Sequence, residues 1–182
     1  DSYIGEDITS NARTIKSIPL KLSSFIKQTD FLLAGRTEVR GEIVMLKKDF
    51  DALNKIQRKN KEPEFANPRN LGAGTIRQLD PSLVASRPLQ FRAYDLIYEN
   101  SALIPSNNLA YTFLTEIGFI RNKEIGVFEN TTKLIDFINI WNEKRNDLPF
   151  NTDGVAIKVN NREQFNELGI VGKQPRGAIA YK

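Results

Sequence analysis

Lysine recurs in this chain on a floor that is otherwise nearly bare. In Thr152-Asp153-Gly154-Val155-Ala156-Ile157-Lys158-Val159, the residues Val155, Ile157 and Val159 alternate with Gly154, Ala156 and Lys158. A period of two predicts a strand with one branched, apolar face for a core and one face of small residues ending in an ammonium. The stretch Ala178-Ile179-Ala180-Tyr181-Lys182 repeats the plan, with Ala178, Ala180 and Lys182 opposing Ile179 and Tyr181. Small side chains let a flat ligand come close to the backbone, and a lysine beside them can hold a phosphate as a point charge. The plain alternative is two strands whose lysines face water, the usual place for a lysine. A second kind of cation sits in Pro63 to Pro81, PEFANPRNLGAGTIRQLDP. There Arg69 and Arg77 offer guanidiniums shaped to hold phosphate through parallel hydrogen bonds, while Asn67-Pro68, Gly72 and Gly74 are expected to fix the backbone. The alternative is a solvated loop with two unrelated arginines.

Composition narrows the chemistry. The chain has 182 residues with no cysteine and no histidine, which removes disulfides, thiolate catalysis, cysteine-ligated zinc and the usual general base. Carboxylates, lysines, arginines and hydroxyls are what remains. Lysine and arginine number 26 against 22 acidic residues, a net +4 that fits a polyanionic partner. No apolar run is long enough for a membrane span and no secretory signal is visible. The length suits one domain.

The elements that must position these groups can be read in order. A helix is expected from Gly5-Glu6-Asp7 with Ile8, Ala12 and Ile15 on one stripe, ended by Pro19. A short apolar piece follows around Leu20, Leu22 and Phe25. Thr37 to Met45 reads as a strand, with Val39, Ile43 and Met45 opposing Glu38, Arg40 and Glu42; that charged face either lines a cleft or is simply solvated. Lys48 to Asn60 reads as an amphipathic helix on Phe50, Leu53 and Ile56. A short helix is expected around Leu71 to Leu79, stopping near Asp80-Pro81. Leu89 to Tyr98 reads as a strand, with Arg92, Tyr94 and Tyr98 opposing Phe91, Ala93 and Ile97. Ser106 caps a helix closed by Gly118, Thr131 or Thr132 caps a longer one carrying Trp141, and Asn161 caps a short one closed by Gly169. A polar loop, Val171 to Arg176, leads to the last strand. The mixture has no regular βαβ cadence, so the expected class is α+β with largely antiparallel sheet.

Glu38-Val39-Arg40-Gly41-Glu42, Asn67-Pro68-Arg69-Asn70, Arg77-Gln78-Leu79-Asp80-Pro81, Asp153 through Val159 and Arg176 through Lys182 form an ordered series that resembles the bacterial NAD-dependent DNA ligases. Gly5-Glu6-Asp7-Ile8-Thr9 and Arg13-Thr14-Ile15 extend the resemblance over nearly the whole chain. It implies an adenylation domain of the covalent nucleotidyltransferase (ATP-grasp-like) fold, with two antiparallel sheets, a nucleotide cleft and flanking helices. Residues 1–182 are then expected to be part of that domain in a longer multidomain chain.

In that family a lysine in a Lys-x-Asp-Gly motif attacks NAD to form lysyl-AMP. The AMP passes to the 5′-phosphate of a DNA nick, which is then sealed. The motif lies upstream of the Gly-Glu-Asp helix, and Asp153-Gly154 is preceded by Asn151 in its place, so this segment alone is expected not to charge itself. The resemblance implies that Glu42 contacts ribose, that Tyr94 stacks on adenine with Lys158 across the base, and that Gly154 lies in the cofactor site. It also implies that Lys158 and Lys182 serve the α-phosphate as catalytic groups and that Asp153 serves metal-assisted chemistry with Mg2+. Arg69 and Arg77 act in nick sealing, and Arg176 joins them in binding DNA. Gly177 stands where the family commonly has tryptophan, and Ser2 where it usually has glycine. The implied partners are NAD and nicked double-stranded DNA, and the implied setting is a monomer in the bacterial cytosol, associated with the nucleoid, in replication and repair. An ATP-dependent ligase or capping-type guanylyltransferase shares this chemistry, and a catalytically idle nucleic-acid-binding module is the alternative outside enzymes.

Overall fold

A computed structural model describes residues 5–22 and 29–182, so Ser2 and Phe25 lie outside the described residues. In chain order the elements are α1 (Thr9–Ala12), α2 (Phe31–Ala34), β1 (Thr37–Met45), α3 (Lys47–Asn60), α4 (Pro68–Ile76), α5 (Pro81–Ala85), β2 (Leu89–Tyr98), α6 (Asn107–Glu116), α7 (Thr131–Lys144), β3 (Val155–Lys158), α8 (Arg162–Glu167), β4 (Ile170–Val171), β5 (Gln174–Pro175) and β6 (Ala178–Tyr181). The strands make two-stranded sheets, β1 with β2, β3 with β6, and β4 with β5. The β3–β6 and β4–β5 pairs are antiparallel, in keeping with the α+β expectation. The chain divides into two compact units, one of Asp1–Leu20, Glu42–Arg92 and Pro149–Asn151, the other of Lys21–Gly41, Ala93–Leu148 and Thr152–Lys182.

The first unit closes around Ile15, Met45, Leu71, Ile76, Val84 and Leu89, with Ile43, Phe50, Leu53 and Phe91 packed against them. Alternation on β1 works as read for Ile43 and Met45, while Arg40 and Glu42 stay exposed. The opening helix is shorter than expected because the amides of Thr14 and Ile15 bond three residues back, to Asn11 and Ala12, tightening the chain out of the α-helix. Ile15 is buried all the same. On α3, Ile56 is exposed and Asn54 takes a buried place instead. Asn54 trades hydrogen bonds with the main chain of Phe65, at 2.8 and 3.2 Å, which folds the following segment back on the helix. Asp80 starts an additional helix, α5, by accepting from the Ser82 amide at 2.8 Å. Gly72 and Gly74 sit in ordinary helical backbone within α4, so neither supplies a special turn.

The second unit buries Leu32, Leu96, Ile104, Leu114 and Ile117 completely or nearly so. Strand β2 has the limits read from sequence, but Leu96, of the same parity as Tyr94, is fully buried. Ser106 caps α6, accepting from Leu109 at 3.2 Å, and Gly118 leaves it at φ 93°. The cap of α7 is Asn130, one residue before the expected threonine; its amide oxygen reaches the Lys133 N–H at 3.0 Å. Trp141 is core, as a lone tryptophan on an apolar stripe should be. Asn161 caps α8 and Gly169 ends it at φ 71°. The polar stretch after it is a small hairpin, β4 to β5, turned by Gly172 at φ 63°.

Candidate functional site

The β3–β6 ladder pairs Val155 with Tyr181, Ala156 with Ala180, Ile157 with Ile179 and Lys158 with Ala178. Residues directly opposite in an antiparallel pair share a face. Ala156, Ala178, Ala180 and Lys158 therefore share one face, and Lys182 continues it beyond Tyr181. The two lysines mark its two ends, about 13 Å apart along the strands at roughly 3.3 Å per residue. Ala156, Lys158, Ala180 and Lys182 are exposed, so the floor is open. The opposite face departs from expectation: Val155 and Ile157 are half-buried, but Ile179 and Tyr181 on β6 remain mostly exposed.

Tyr94 stands beside this floor at 40% exposure, and the Lys158 ammonium lies 5.5 Å from the centre of its ring. That is a cation–π contact. A base sandwiched between ring and lysine would need two stacking layers of about 3.4 Å each, roughly 7 Å in all. A base entering there must displace the ammonium from the ring.

Gly154 also makes room for the neighbouring strand. A side-chain carbon added there would meet the Tyr181 carbonyl oxygen, lie 2.9 Å from the Tyr181 carbonyl carbon and 3.0 Å from the Lys182 Cα. The glycine lets β6 approach, and through β6 it seats Lys182. Gly177 is buried against Phe165, whose Cδ2 would be 2.5 Å from an added Cβ. Its carbonyl accepts from the Val159 amide at 2.9 Å, which extends the strand pairing past Lys158. A tryptophan would not fit that position unless Phe165 moved.

Asp153 is exposed just ahead of β3. Among the described residues no group of three or more acidic side chains comes together to hold a metal. Magnesium would need further oxygen ligands beside Asp153. Glu42 is exposed on β1 in the first unit, and Glu38 and Arg40 on the same strand pair with each other at 2.6 Å. That carboxylate holds the Arg40 guanidinium above even its usual high range.

The arginines at 69 and 77 occupy the two ends of α4. Asn67 caps the helix, accepting from Asn70 at 2.8 Å, and Pro68 takes the first helical position with Arg69 next. Arg77 ends the helix. Eight residues at about 1.5 Å each set the two some 12 Å apart along the axis. Arg77 is largely exposed and meets Glu6 at 3.6 Å, a surface pair worth little. Arg176 belongs to the second unit; it is exposed, and its amide bonds the Gly169 carbonyl at 3.0 Å.

One residue passed over in sequence fixes Arg77. Asn11, buried to 5% exposure, donates to the carbonyls of Ile76 at 2.8 Å and Gln78 at 2.7 Å, one on each side of Arg77. The side-chain amide thereby satisfies carbonyls that the end of α4 would otherwise leave open. Its partners lie 65 and 67 residues away, so nothing local in the sequence announces them.

Compared with known proteins, residues 1–182 match the family described as the NAD-dependent DNA ligase adenylation domain. The chain is 46% identical to a DNA ligase of Oceanobacillus iheyensis over 183 residues, which takes in all of this chain and 26% of that protein. It is 42% identical to a DNA ligase of Thermomicrobium roseum, again over all of the chain and 26% of the relative. For a DNA ligase of Koribacter versatilis the identity is 43%, over all of the chain and 27% of the relative. The chain thus spans about a quarter of the length of these curated relatives.

Proposed function

Because the chain belongs to the family of NAD-dependent DNA ligase adenylation domains, we propose that it supplies the adenylate-binding and nick-facing residues of a ligase that uses NAD to seal nicked DNA. It works, on this reading, as part of a longer multidomain protein of nucleotidyltransferase fold, in replication and repair, in the bacterial cytosol and as a monomer. The observation that carries the reading is the contact of Lys158 with Tyr94 beside a floor of small residues whose other end is Lys182. A floor of alanines with an aromatic flank fits a purine, and two cations along it fit the phosphate attached to that purine.

NAD would supply the adenylyl group, with nicotinamide mononucleotide leaving. Tyr94 stacks on the base. Glu42 accepts from the ribose hydroxyls. Lys158 and Lys182 offset charge at the α-phosphate, where preorganised donors act most strongly on the transition state. Arg69 and Arg77 hold DNA phosphate during sealing, and Arg176 adds a further contact. Any Mg2+ would come on the nucleotide's phosphates, with Asp153 the protein carboxylate nearest in sequence to the floor; magnesium is commonly held by one or two carboxylates plus substrate phosphates.

The test is AMP charging from NAD by full-length protein carrying Tyr94→Ala or Lys158→Ala. Each is expected to slow charging by about 100-fold or more. Charging at the wild-type rate by both variants would overturn the assignment of this floor.

A further inference from the structure

We propose that Arg162 is a positioning residue that holds the strand carrying Tyr94 beside the strand carrying Lys158, leaving the ammonium free to shift as a base enters; the role rests on the nucleotide reading of that pair. The need for such a residue follows from the topology. Tyr94 is on β2, which pairs with β1, and Lys158 is on β3, which pairs with β6. Among the described residues no strand ladder joins β2 to β3. Their side chains meet, yet no ladder sets the distance.

Arg162 supplies the link. Its guanidinium forms an ion pair with Asp95, the residue after Tyr94, and both side chains are mostly buried. The same guanidinium donates to the Leu96 carbonyl at 2.8 Å and to the Asn107 side-chain oxygen at 3.2 Å. Asn107 donates in turn to the carbonyl of Val159, the residue after Lys158, at 2.9 Å. A continuous path of hydrogen bonds thus runs from the neighbour of Tyr94 to the neighbour of Lys158. The main chain reinforces it: the Arg162 amide bonds the Pro105 carbonyl at 3.0 Å, and the Asn107 amide bonds the Asn160 carbonyl at 2.9 Å. Asp95 also accepts from the Leu96 amide at 2.9 Å, which fixes its carboxylate toward the guanidinium.

Stabilising its own helix does not account for this arginine. It opens α8, and a cation at a helix N-terminus opposes the helix dipole. The placement costs α8 a little and makes sense through what the side chain reaches. A planar guanidinium with donors in a fixed fork can serve three acceptors at once, which a lysine cannot do.

The experiment measures AMP affinity and melting temperature in full-length protein for Arg162→Lys, and for Asp95→Asn with Arg162→Leu. The paired change leaves no unpaired buried charge, and the lysine variant keeps a charge opposite Asp95. Each set is made in the wild-type and in the Tyr94→Ala background. In the wild-type background the paired change is expected to weaken AMP binding by about 10- to 100-fold, the scale of a small misplacement of binding groups. Arg162→Lys is expected to fall between. In the Tyr94→Ala background the paired change should cost less than about twofold, because coupled residues are not additive. Unchanged AMP affinity with a lowered melting temperature would overturn the proposal, as would an equal loss in both backgrounds. If Tyr94→Ala itself leaves AMP affinity unchanged, the nucleotide reading falls and the positioning role falls with it.

Discussion

Replacing Gly154 with alanine isolates what the glycine does. The new carbon would lie 2.9 Å from the Tyr181 carbonyl carbon and 3.0 Å from the Lys182 Cα, and closer still to the Tyr181 carbonyl oxygen. Carbon atoms pack at about 3.5–4.0 Å, so the end of β6 must retreat by roughly 1 Å. All three obstructing atoms are backbone, and no rotamer change relieves them. Overpacking of this kind costs about 1–3 kcal/mol, which for a protein of this size lowers the melting temperature by about 2–12 °C. The retreat carries Lys182 with it. A displacement near 1 Å at a binding group can cost about 100-fold in rate, so charging from NAD should fall by that order in full-length protein. Thermal melting and intact-mass detection of the AMP adduct read the two effects separately. A variant that melts within about 1 °C of wild type would refute the close approach. One that melts lower but charges normally would refute the link from Gly154 to Lys182.

Three further outcomes are expected. Lys182→Ala should slow charging from NAD by about 100- to 1,000-fold, whereas Arg77→Ala should leave charging near normal and impair sealing; a pre-adenylated nick assayed apart from NAD charging separates the two, and the opposite pattern would remove Arg77 from the DNA side. Asn11→Ala strands the buried Ile76 carbonyl, which should cost about 1–3 kcal/mol in a denaturant titration; a cost near zero would mean that water replaces the amide without penalty. Asp7 and Asp80 each accept from a hydroxyl and an amide two residues on, at Thr9 and Ser82, which holds both carboxyls below their usual range. With the folded pKa below the unfolded one, their stabilisation is present above the usual carboxylate range and is lost as pH falls through the lowered value. The gap in urea midpoint between wild type and Asp80→Asn should therefore shift between about pH 6 and about pH 3, and a gap constant across that window would contradict the cap.

What sequence made legible, and what it left hidden, follows from how far each interaction reaches along the chain. The lysine floor was readable because a strand repeats every two residues, and the observed register of Lys158 with Ala178 puts the small residues on one face as alternation requires. The caps at Ser106 and Asn161 were readable for the same reason, since cap and first turn lie within three residues. The cap of α7 fell one residue away from the threonines because asparagine competes well for that position. Ile56 was placed in the core by a helical period that counts hydrophobicity alone; Asn54 took the buried place by bonding the main chain at Phe65, eleven residues on. The strand-packing role of Gly154 stayed hidden because a small residue that admits a ligand and one that admits a neighbouring strand look alike until the strand is in place.

Asn11 and Arg162 mark the limit of sequence reading, and they share a physical character. Each spends side-chain N–H groups on acceptors flanking a candidate functional side chain, Asn11 on both sides of Arg77 and Arg162 beside Tyr94 and, through Asn107, beside Lys158. Such residues satisfy main-chain and side-chain groups that are remote in sequence, at separations of 52 to 67 residues, and no periodic pattern encodes them. A trace does exist for Arg162, a cation on the first turn of a helix where the dipole prefers an anion. A side chain set against its local preference has a reason elsewhere in the fold. Exposed cations such as Lys158 and Arg77 gain directional precision from neighbours whose side chains are hydrogen-bonded across the fold.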